Sequence, residues 1–202
     1  MTVDPGYFRE QYASSPDPWG LAGRWYETRK YALSLALLPR ERYSAAFEPG
    51  CSIGVLSTGL AGRCDSLLSC DGVADAVASA RARTAGLPGV RIEQRTIPAD
   101  WPPGDFALIV FSEILYYFDK ADLTEVLRRA TGALRPDGHL LAVHWRHPAA
   151  HHPRTGDEAH QALADHHGLA RLCGYRDTDF TAEVFTRADG DLRSVAQAGG
   201  IV

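Results

Sequence analysis

The chain has 202 residues, of which 45% are hydrophobic and 23% are charged, and its formal net charge is −4. These values predict one domain with a well-buried core and exclude a largely disordered chain. There is no basic run, and no apolar segment is long enough to be a membrane span or a secretion signal. We therefore expect a cytoplasmic protein without a nucleic-acid or membrane partner.

An aromatic, turn-rich segment opens the chain and precedes a predicted helix over 24–38, which Pro39 stops. Strand-like and helix-like segments then alternate. Five strands are predicted in SAAFEPGC, SLLSCD, VRIEQR, FALIVFSEI and HLLAVHW, and two more in LARLCGYRDTDFTAEVFTR. Helices are predicted in IGVLSTGLAGR, VADAVASARAR, the apolar stripe 123–134 and TGDEAHQALADHH. A turn at RPDG is predicted to close the third of these helices, and a capping box of Thr155 and Glu158 is predicted to begin the fourth. Residues 188–202 have no clear pattern and are predicted to be a flexible tail.

Alternating strands and helices are typical of a mostly parallel sheet that helices cover on both faces. In such sheets, ligands bind beyond the carboxyl ends of the strands, near the point where the strand order reverses. This rule selects five places as the candidate site, namely 48–54, Asp71, 96–98, 112–117 and 144–147.

The stretch AAFEPGCSIGVLS, residues 45–57, lies where the first strand turns into a helix. It lacks the G-x-G-x-x-G pattern of dinucleotide sites, since its only glycines are Gly50 and Gly54, with Ser52 between them. Glu48 would repel a pyrophosphate, which disfavours a nicotinamide-dependent oxidoreductase. An acid at this turn favours a cationic nucleoside without phosphate, such as S-adenosylmethionine, and Gly50 lets the backbone approach it closely.

Asp71 ends the second predicted strand. An acid at this position of a nucleotide-binding α/β fold can accept hydrogen bonds from both ribose hydroxyls. The same side chain could instead cap the helix that follows, or do both.

Three further sequence matches identify a family. FEPGCSIG, the CD pair at 70–71 and FSEILYYF at 111–118 resemble the class I S-adenosylmethionine-dependent methyltransferases, and within them the nodulation protein S family. DPWG, WYETRKY, IPADWPPGDF, HWRHP and TGDEAH extend the resemblance over about 7–187. Ser52 stands where the wider superfamily has a glycine, and Ala107 replaces an aspartate that is frequent after the fourth-strand aromatic.

The resemblance implies a Rossmann-like class I methyltransferase fold, with a seven-stranded, mostly parallel sheet, helices on both faces and an N-terminal helical lid. It implies one domain over 1–187, with the lid at 1–39 and the α/β core at 40–187. Aromatic residues of the lid would cover the cofactor, Arg29 would meet its methionine carboxylate, and residues 96–98 would lie at the adenine. The implied cofactor-binding residues are Glu48, Gly50, Cys51, Ser52, Gly54, Asp71, Gly72, Thr96, Ile97, Ser112, Trp25 and Arg29.

Three residues are candidates for the catalytic site, namely His144, Glu113 and Tyr117. Glu113 follows the fourth strand, close to where the transferred methyl group is expected, and it could act as a base or hold an ammonium or hydroxyl group. Tyr117 is favoured over its neighbour Tyr116 for lining the site, because adjacent side chains point in different directions. His144 could be a base or a structural histidine.

All eight histidines lie between 139 and 167, but their spacing fits no common zinc site, and we predict no metal. The four cysteines form no C-x-x-C pair and are predicted to be reduced thiols.

The function that these observations favour is methyl transfer from S-adenosylmethionine to a small polar acceptor by direct in-line displacement, which leaves S-adenosylhomocysteine. The family resemblance implies an amino group of an amino sugar as the acceptor. An O-methyltransferase with His144 as its base and a non-catalytic S-adenosylmethionine-binding partner protein are the alternatives. The chain is expected to be a monomer or a homodimer.

Overall fold

A computed structural model describes residues 2–190 and 192–202. Its centre is one seven-stranded sheet with the strand order β3-β2-β1-β4-β5-β7-β6, in which β1 to β5 are parallel and β7 runs antiparallel to both of its neighbours. The strands are β1 Ala46–Pro49, β2 Leu67–Asp71, β3 Val90–Gln94, β4 Phe106–Ser112, β5 Leu134–Trp145, β6 Leu169–Arg176 and β7 Phe180–Arg187. The helices are α1 Pro5–Ser14, α2 Trp25–Leu37, α3 Val55–Ala61, α4 Ala74–Arg83, α5 Lys120–Ala133, α6 Gly156–Ala164 and α7 Val195–Ala198. The predicted fold class is confirmed.

The central strand β4 is buried on both faces, as its nearly unbroken apolar sequence predicts. Ile109 and Phe111 belong to the apolar core on one face of the sheet, which α5 and α6 cover. Leu108 and Val110 belong to the core on the opposite face, which α2 and α3 cover. The side chains of β4 therefore point alternately into the two cores, so this one strand contacts both helical layers.

The predicted turn at RPDG is wrong. Helix α5 ends at Ala133, and strand β5 begins directly at Leu134. Phe106 of β4 pairs with Leu134, whereas Leu108 pairs with His139, so residues 135–138 form a bulge within β5. The side chain of Leu134 is buried, which places this residue in the sheet before the chain bulges outward.

Two helices precede the sheet. Asp4 caps α1, and Pro5 occupies its first position, as is typical of helix starts. The predicted helix over 24–38 is confirmed as α2, which packs against α3 and against the β6–β7 hairpin. The capping box of Thr155 and Glu158 is also confirmed at the start of α6.

The C-terminal segment contains the four-residue helix α7, in which no residue is buried. Residue 191, within the tail predicted to be flexible, lies outside the described residues. Among the residues that the structure describes, no helix is both long and apolar enough to cross a membrane.

Candidate functional site

The strand order reverses between β1 and β4, because the chain builds β1, β2 and β3 outward and then returns to the other side of β1. At such a reversal, the loops after neighbouring strands lead to opposite faces and leave a crevice at the carboxyl ends. The segments after β1, β2, β3, β4 and β5 all begin at this edge because these strands are parallel. The fold therefore brings the five predicted places together.

The turn after β1 has a backbone that few side chains tolerate. Gly50, Ser52 and Gly54 have φ values of 71°, 52° and 77°. A Cβ at Gly50 would lie 2.7 Å from Ile114 Cδ1, and one at Gly54 would lie 3.1 Å from Ala80 Cα. Glycine is therefore required at both positions, both for the left-handed conformation and for the close packing.

Glu48 is fully buried beneath this turn. Its Oε2 atom accepts hydrogen bonds from Ser57 Oγ at 2.5 Å and from Ser69 Oγ at 2.6 Å. Burial nevertheless raises the pKa of Glu48 to about 7, because the two hydroxyls only partly replace water around the charged form. A cation next to this carboxylate would favour its ionised state.

Asp71 connects the turn to the start of α4. Its Oδ2 atom accepts a hydrogen bond from the Ser52 amide at 3.0 Å, and its Oδ1 atom accepts one from the Val73 amide at 2.9 Å. Burial raises the pKa of Asp71, although the hydrogen bonds from Val73 and Ser52 oppose that shift. The capping alternative is wrong, because the N-cap of α4 is Val73 and no side-chain hydrogen bond caps this helix. A carboxylate oxygen of Asp71 retains lone pairs for a further donor.

The N-terminal segment touches the same turn. The hydroxyl groups of Tyr12, on α1, and Ser52 are 2.5 Å apart. Trp19 packs edge-on against Tyr12, with ring centroids 5.4 Å apart, and both residues join a small apolar cluster with Ile53 and Val73. Residues before the sheet thus cover the turn, which is the arrangement that a lid requires.

Of the remaining residues predicted for the cofactor, five lie beside the turn after β1 and two, Trp25 and Arg29, do not. Cys51, Gly72, Thr96, Ile97 and Ser112 lie at the carboxyl ends of their strands, beside the turn. Ile97 precedes a cis proline and packs on the core.

Trp25 and Arg29 are not held against the turn. Trp25 is 76% exposed at the first residue of α2. Arg29 donates hydrogen bonds to Asp177 at 2.9 Å and to the Tyr175 hydroxyl at 2.6 Å, so its guanidinium is directed to the β6–β7 hairpin.

Glu113 follows β4 with a φ of 57°, an unfavourable conformation for a residue with a side chain. Its Oε1 atom accepts a hydrogen bond from Lys30 Nζ at 2.5 Å. Its Oε2 atom accepts hydrogen bonds from the Tyr116 hydroxyl at 2.7 Å and the Trp145 amide at 2.8 Å. Glu113 therefore joins α2, the segment after β4 and the end of β5.

The sequence did not indicate that Lys30 is buried at this site. Lys30 is only 2% exposed and also lies 2.9 Å from Glu27 Oε2. Burial lowers its pKa, but Glu113 and Glu27 outweigh that effect, and the pKa of Lys30 is raised. The buried residues of α2 are Glu27, Lys30 and Ser34, a polar stripe at helical spacing that is visible in the sequence but is usually read as a solvated face.

His144 is fully buried at the end of β5. The Leu115 amide donates to its Nε2 atom at 3.1 Å, so the neutral ring carries its proton on Nδ1. That Nδ1 atom lies 3.1 Å from His160 Nε2, and His160 Nδ1 lies 2.6 Å from Glu183 Oε2. Burial holds the pKa of His144 well below its usual range. With both nitrogens in use, the structural alternative fits His144 better than a role as base.

The two adjacent tyrosines differ in their surroundings. Tyr116 is buried, stacks on His152 with ring centroids 4.1 Å apart and donates its hydroxyl proton to Glu113. Tyr117 is half-buried and meets Phe8 of α1 edge-on at 4.8 Å. Tyr117 is the more accessible ring, and it contacts α1.

Two other predictions concern cysteine and metal chemistry. All four cysteines are free thiols, as predicted. Within 2–190 and 192–202, no three histidine, cysteine, aspartate or glutamate side chains converge in a way that could hold a metal ion.

Comparisons with known proteins agree on one family. The family model for nodulation protein S matches residues 7–164. The nodulation protein S of Bradyrhizobium diazoefficiens is 30% identical over 144 residues, which cover 70% of this chain and 69% of that protein. The nodulation protein S of Rhizobium tropici is 30% identical over 130 residues, which cover 63% of this chain and 55% of that protein.

Solved structures agree with the fold. A Pseudomonas syringae protein described as a candidate methyltransferase is 48% identical, with a TM-score of 0.73 over 81% of this chain and 100% of that chain. The N-methyltransferase NodS of Bradyrhizobium japonicum, solved with S-adenosyl-L-homocysteine, has a TM-score of 0.80 at 23% identity over 90% of this chain and 97% of that chain. The chain therefore belongs to the nodulation protein S family, and it is an S-adenosylmethionine-dependent methyltransferase with the class I fold.

Proposed function

We propose that the protein transfers the methyl group of S-adenosylmethionine to the amino group of a small polar acceptor, an amino sugar. The observation that carries this proposal is a pair of acids, the buried Glu48 and the partly buried Asp71, around a tight turn at the strand-order reversal. Two acids at a nucleoside site favour a ligand with positive charge and disfavour a pyrophosphate.

The residues at the turn fit this cofactor. Asp71 would accept hydrogen bonds from the ribose hydroxyls, and Thr96 and Ile97 would lie along the adenine. The bare backbone at Gly50 would admit the methionine part, while the buried charge of Glu48 would favour its ammonium group. Bound S-adenosylmethionine would supply a methyl group on a sulfonium for in-line displacement by the acceptor's lone pair.

The protein's own residues then have to hold the acceptor and exclude water, because methyl transfer to an amine needs no covalent intermediate with the protein. α1 and α2 would cover the site, with Tyr12 on the turn and Tyr117 beneath Phe8. Glu113, held by three donors, would position the segment after β4 and contribute negative charge near an amine.

An amine acceptor is favoured over a hydroxyl for two reasons. A hydroxyl acceptor needs a general base, and the buried, doubly hydrogen-bonded His144 is unsuited to that role. The related NodS of Bradyrhizobium japonicum is described as an N-methyltransferase.

The test combines binding with transfer. S-adenosylhomocysteine is titrated into the folded protein by calorimetry, and methyl-labelled S-adenosylmethionine is then supplied with D-glucosamine or N-acetyl-D-glucosamine. We expect binding, and label on glucosamine only. No binding to the folded protein would overturn the cofactor assignment. Binding without transfer to either sugar would favour a non-catalytic S-adenosylmethionine-binding protein, and label on hydroxyl groups would favour an O-methyltransferase.

A further inference from the structure

A cluster of charged and aromatic side chains lies where α2 meets the carboxyl ends of β4 and β5. The ammonium group of Lys30 is 2.5 Å from Glu113 Oε1 and 2.9 Å from Glu27 Oε2. The rings of Tyr26 and Tyr31 flank this ammonium, with centroids 5.1 Å and 5.6 Å from Nζ. Glu27 is 6% exposed and Lys30 is 2% exposed, so these two charges are shielded from solvent, whereas the side chain of Glu113 is 19% exposed.

The charges of this cluster do not balance. Two carboxylates, Glu27 and Glu113, face one ammonium, Lys30, which leaves one negative charge in excess. Two neighbouring acids on the hairpin, Asp177 and Asp179, have their own partners in Arg29 and His147. Keeping an uncompensated charge away from water is unfavourable, so the protein bears a cost at this point unless a cation joins the cluster.

Two polar atoms of the cluster also lack hydrogen bonds. Glu27 Oε2 and the Tyr26 hydroxyl are both buried, and neither has a hydrogen-bond partner among the residues that the structure describes. The approach of Lys30 to Glu27 Oε2 satisfies an ion pair but not the angles of a hydrogen bond. Since buried polar atoms are nearly always hydrogen-bonded, these two atoms indicate a ligand that carries hydrogen-bond donors.

The rings around these atoms match that kind of ligand. Tyr26 packs edge-on against Trp145, with ring centroids 5.3 Å apart, and Trp145 follows His144 at the end of β5. Aromatic faces attract a cation, and they also suit the apolar face of a sugar ring.

We propose that Glu27, Tyr26 and Glu113 form the subsite that binds the acceptor as an ammonium ion before methylation. The ammonium would then pass one proton to the carboxylate of Glu27 or Glu113, which frees the nitrogen lone pair for attack on the methyl group. A protonated amine would supply the missing positive charge and N–H donors for Glu27 Oε2 and the Tyr26 oxygen. A neutral hydroxyl or an acetylated amine would leave the excess charge in place. The inference rests on the proposed N-methylation and adds the residues that select the acceptor.

The test compares two Glu→Gln substitutions in the N-terminal helices. Glu27→Gln changes the cluster, and Glu10→Gln is the control because Glu10 is exposed on α1. Binding of D-glucosamine and N-acetyl-D-glucosamine to protein saturated with S-adenosylhomocysteine is measured by calorimetry, and thermal unfolding is recorded for each variant. For Glu27→Gln we expect glucosamine affinity to fall by about tenfold or more, since a hydrogen bond to a charged group is lost.

The same variant distinguishes binding from a structural role. Because Glu27→Gln removes an excess buried charge, we expect its unfolding temperature to equal or exceed that of the wild type, and its affinity for S-adenosylhomocysteine to stay within about twofold. Tyr26→Phe gives a second reading, since it keeps the ring and removes only the hydroxyl, and we expect weaker glucosamine binding without loss of stability.

Three results would overturn the inference. Equal glucosamine affinity in the wild type and Glu27→Gln would show that Glu27 does not bind the amine, and the proposed N-methylation would stand. If Glu27→Gln lost as much affinity for S-adenosylhomocysteine as for glucosamine, the cluster would belong to the cofactor site instead. A wild type that binds S-adenosylhomocysteine but not glucosamine would contradict both the proposed acceptor and this inference.

Discussion

Acidic residues at the candidate site are subject to two opposing effects, since burial disfavours the charged form of each carboxyl group and hydrogen bonds favour it. Glu48 shows the conflict most clearly. Two serine hydroxyls stabilise its ionised form, yet burial raises its pKa to about 7, so that near neutral pH the carboxyl is divided between its two states. Such a group responds to the charge of whatever binds above it.

We expect ligand binding to release a proton from Glu48. The ammonium of S-adenosylhomocysteine would lower the pKa of this carboxyl, so at pH 7 up to about half a proton would leave on binding. Calorimetry in two buffers with different ionisation enthalpies measures this release. The release should vanish in Glu48→Gln, and an unchanged release in that variant would show that another group titrates.

Asp71 gives the second prediction at this scale. Asp71→Asn keeps the size of the side chain but removes the charge that would accept hydrogen bonds from the ribose, so affinity for S-adenosylhomocysteine should fall by about ten- to a hundredfold. Asp75→Asn, at an exposed position of α4, is the control and should bind as the wild type does. Unchanged affinity in Asp71→Asn would remove Asp71 from the cofactor site.

At the scale of elements, helix α2 has a buried face that is polar and an outer face whose charges are solvated. Lys30 belongs to the first face, with a side chain 2% exposed, and neighbouring Arg29 belongs to the second, with a side chain 39% exposed. The two residues therefore give a matched comparison of buried and exposed ion pairs within one helix.

Lys30→Met should destabilise the protein by about 3–5 kcal/mol, because it leaves the buried carboxylate of Glu27 and the partly buried carboxylate of Glu113 without a cation. Arg29→Met should change the free energy of unfolding little, because water solvates the freed Asp177. Urea unfolding of both variants measures the difference. Equal effects would mean that the ion pairs of Lys30 do not stabilise the packing of α2 on the core.

The whole molecule should become less stable as the pH falls below the usual range of histidine. His139 is buried against the hydroxyl of Tyr43, 3.0 Å away, and burial lowers its pKa from 6.5 to about 4. Between these values the unfolded chain binds a proton that the folded chain does not, so stability is present at higher pH and is lost as the pH falls.

Urea unfolding at several pH values between 6.5 and 4 tests this. Each such histidine contributes at most about 1.4 kcal/mol per pH unit, so His139→Gln should make the decline shallower by up to that amount. Glu48, whose pKa is raised, has the opposite slope, so the comparison is made between variant and wild type. An identical slope in the variant would contradict the assignment to His139.

A second prediction at this scale concerns the tail. Helix α7 has no buried residue, whereas Gly190 still packs closely on the carbonyl of Pro136. Ending the chain after Gly190 should therefore leave the unfolding temperature and the affinity for S-adenosylhomocysteine unchanged. A clear loss of either would show that the tail belongs to the folded unit.

The sequence by itself determined the architecture, because strand and helix periods alternate and β4 is apolar throughout. It also determined the turn at Glu48 and Gly50 and the acid at Asp71, which are close in sequence to the strand ends that position them. Only the tertiary structure decided the contacts of Lys30 and His144. Their partners, Glu113 and His160, lie on other elements, and a polar residue that is buried with a distant partner has the same sequence pattern as one that faces water. Long-range pairing, which local patterns do not record, is the physical reason for that difference.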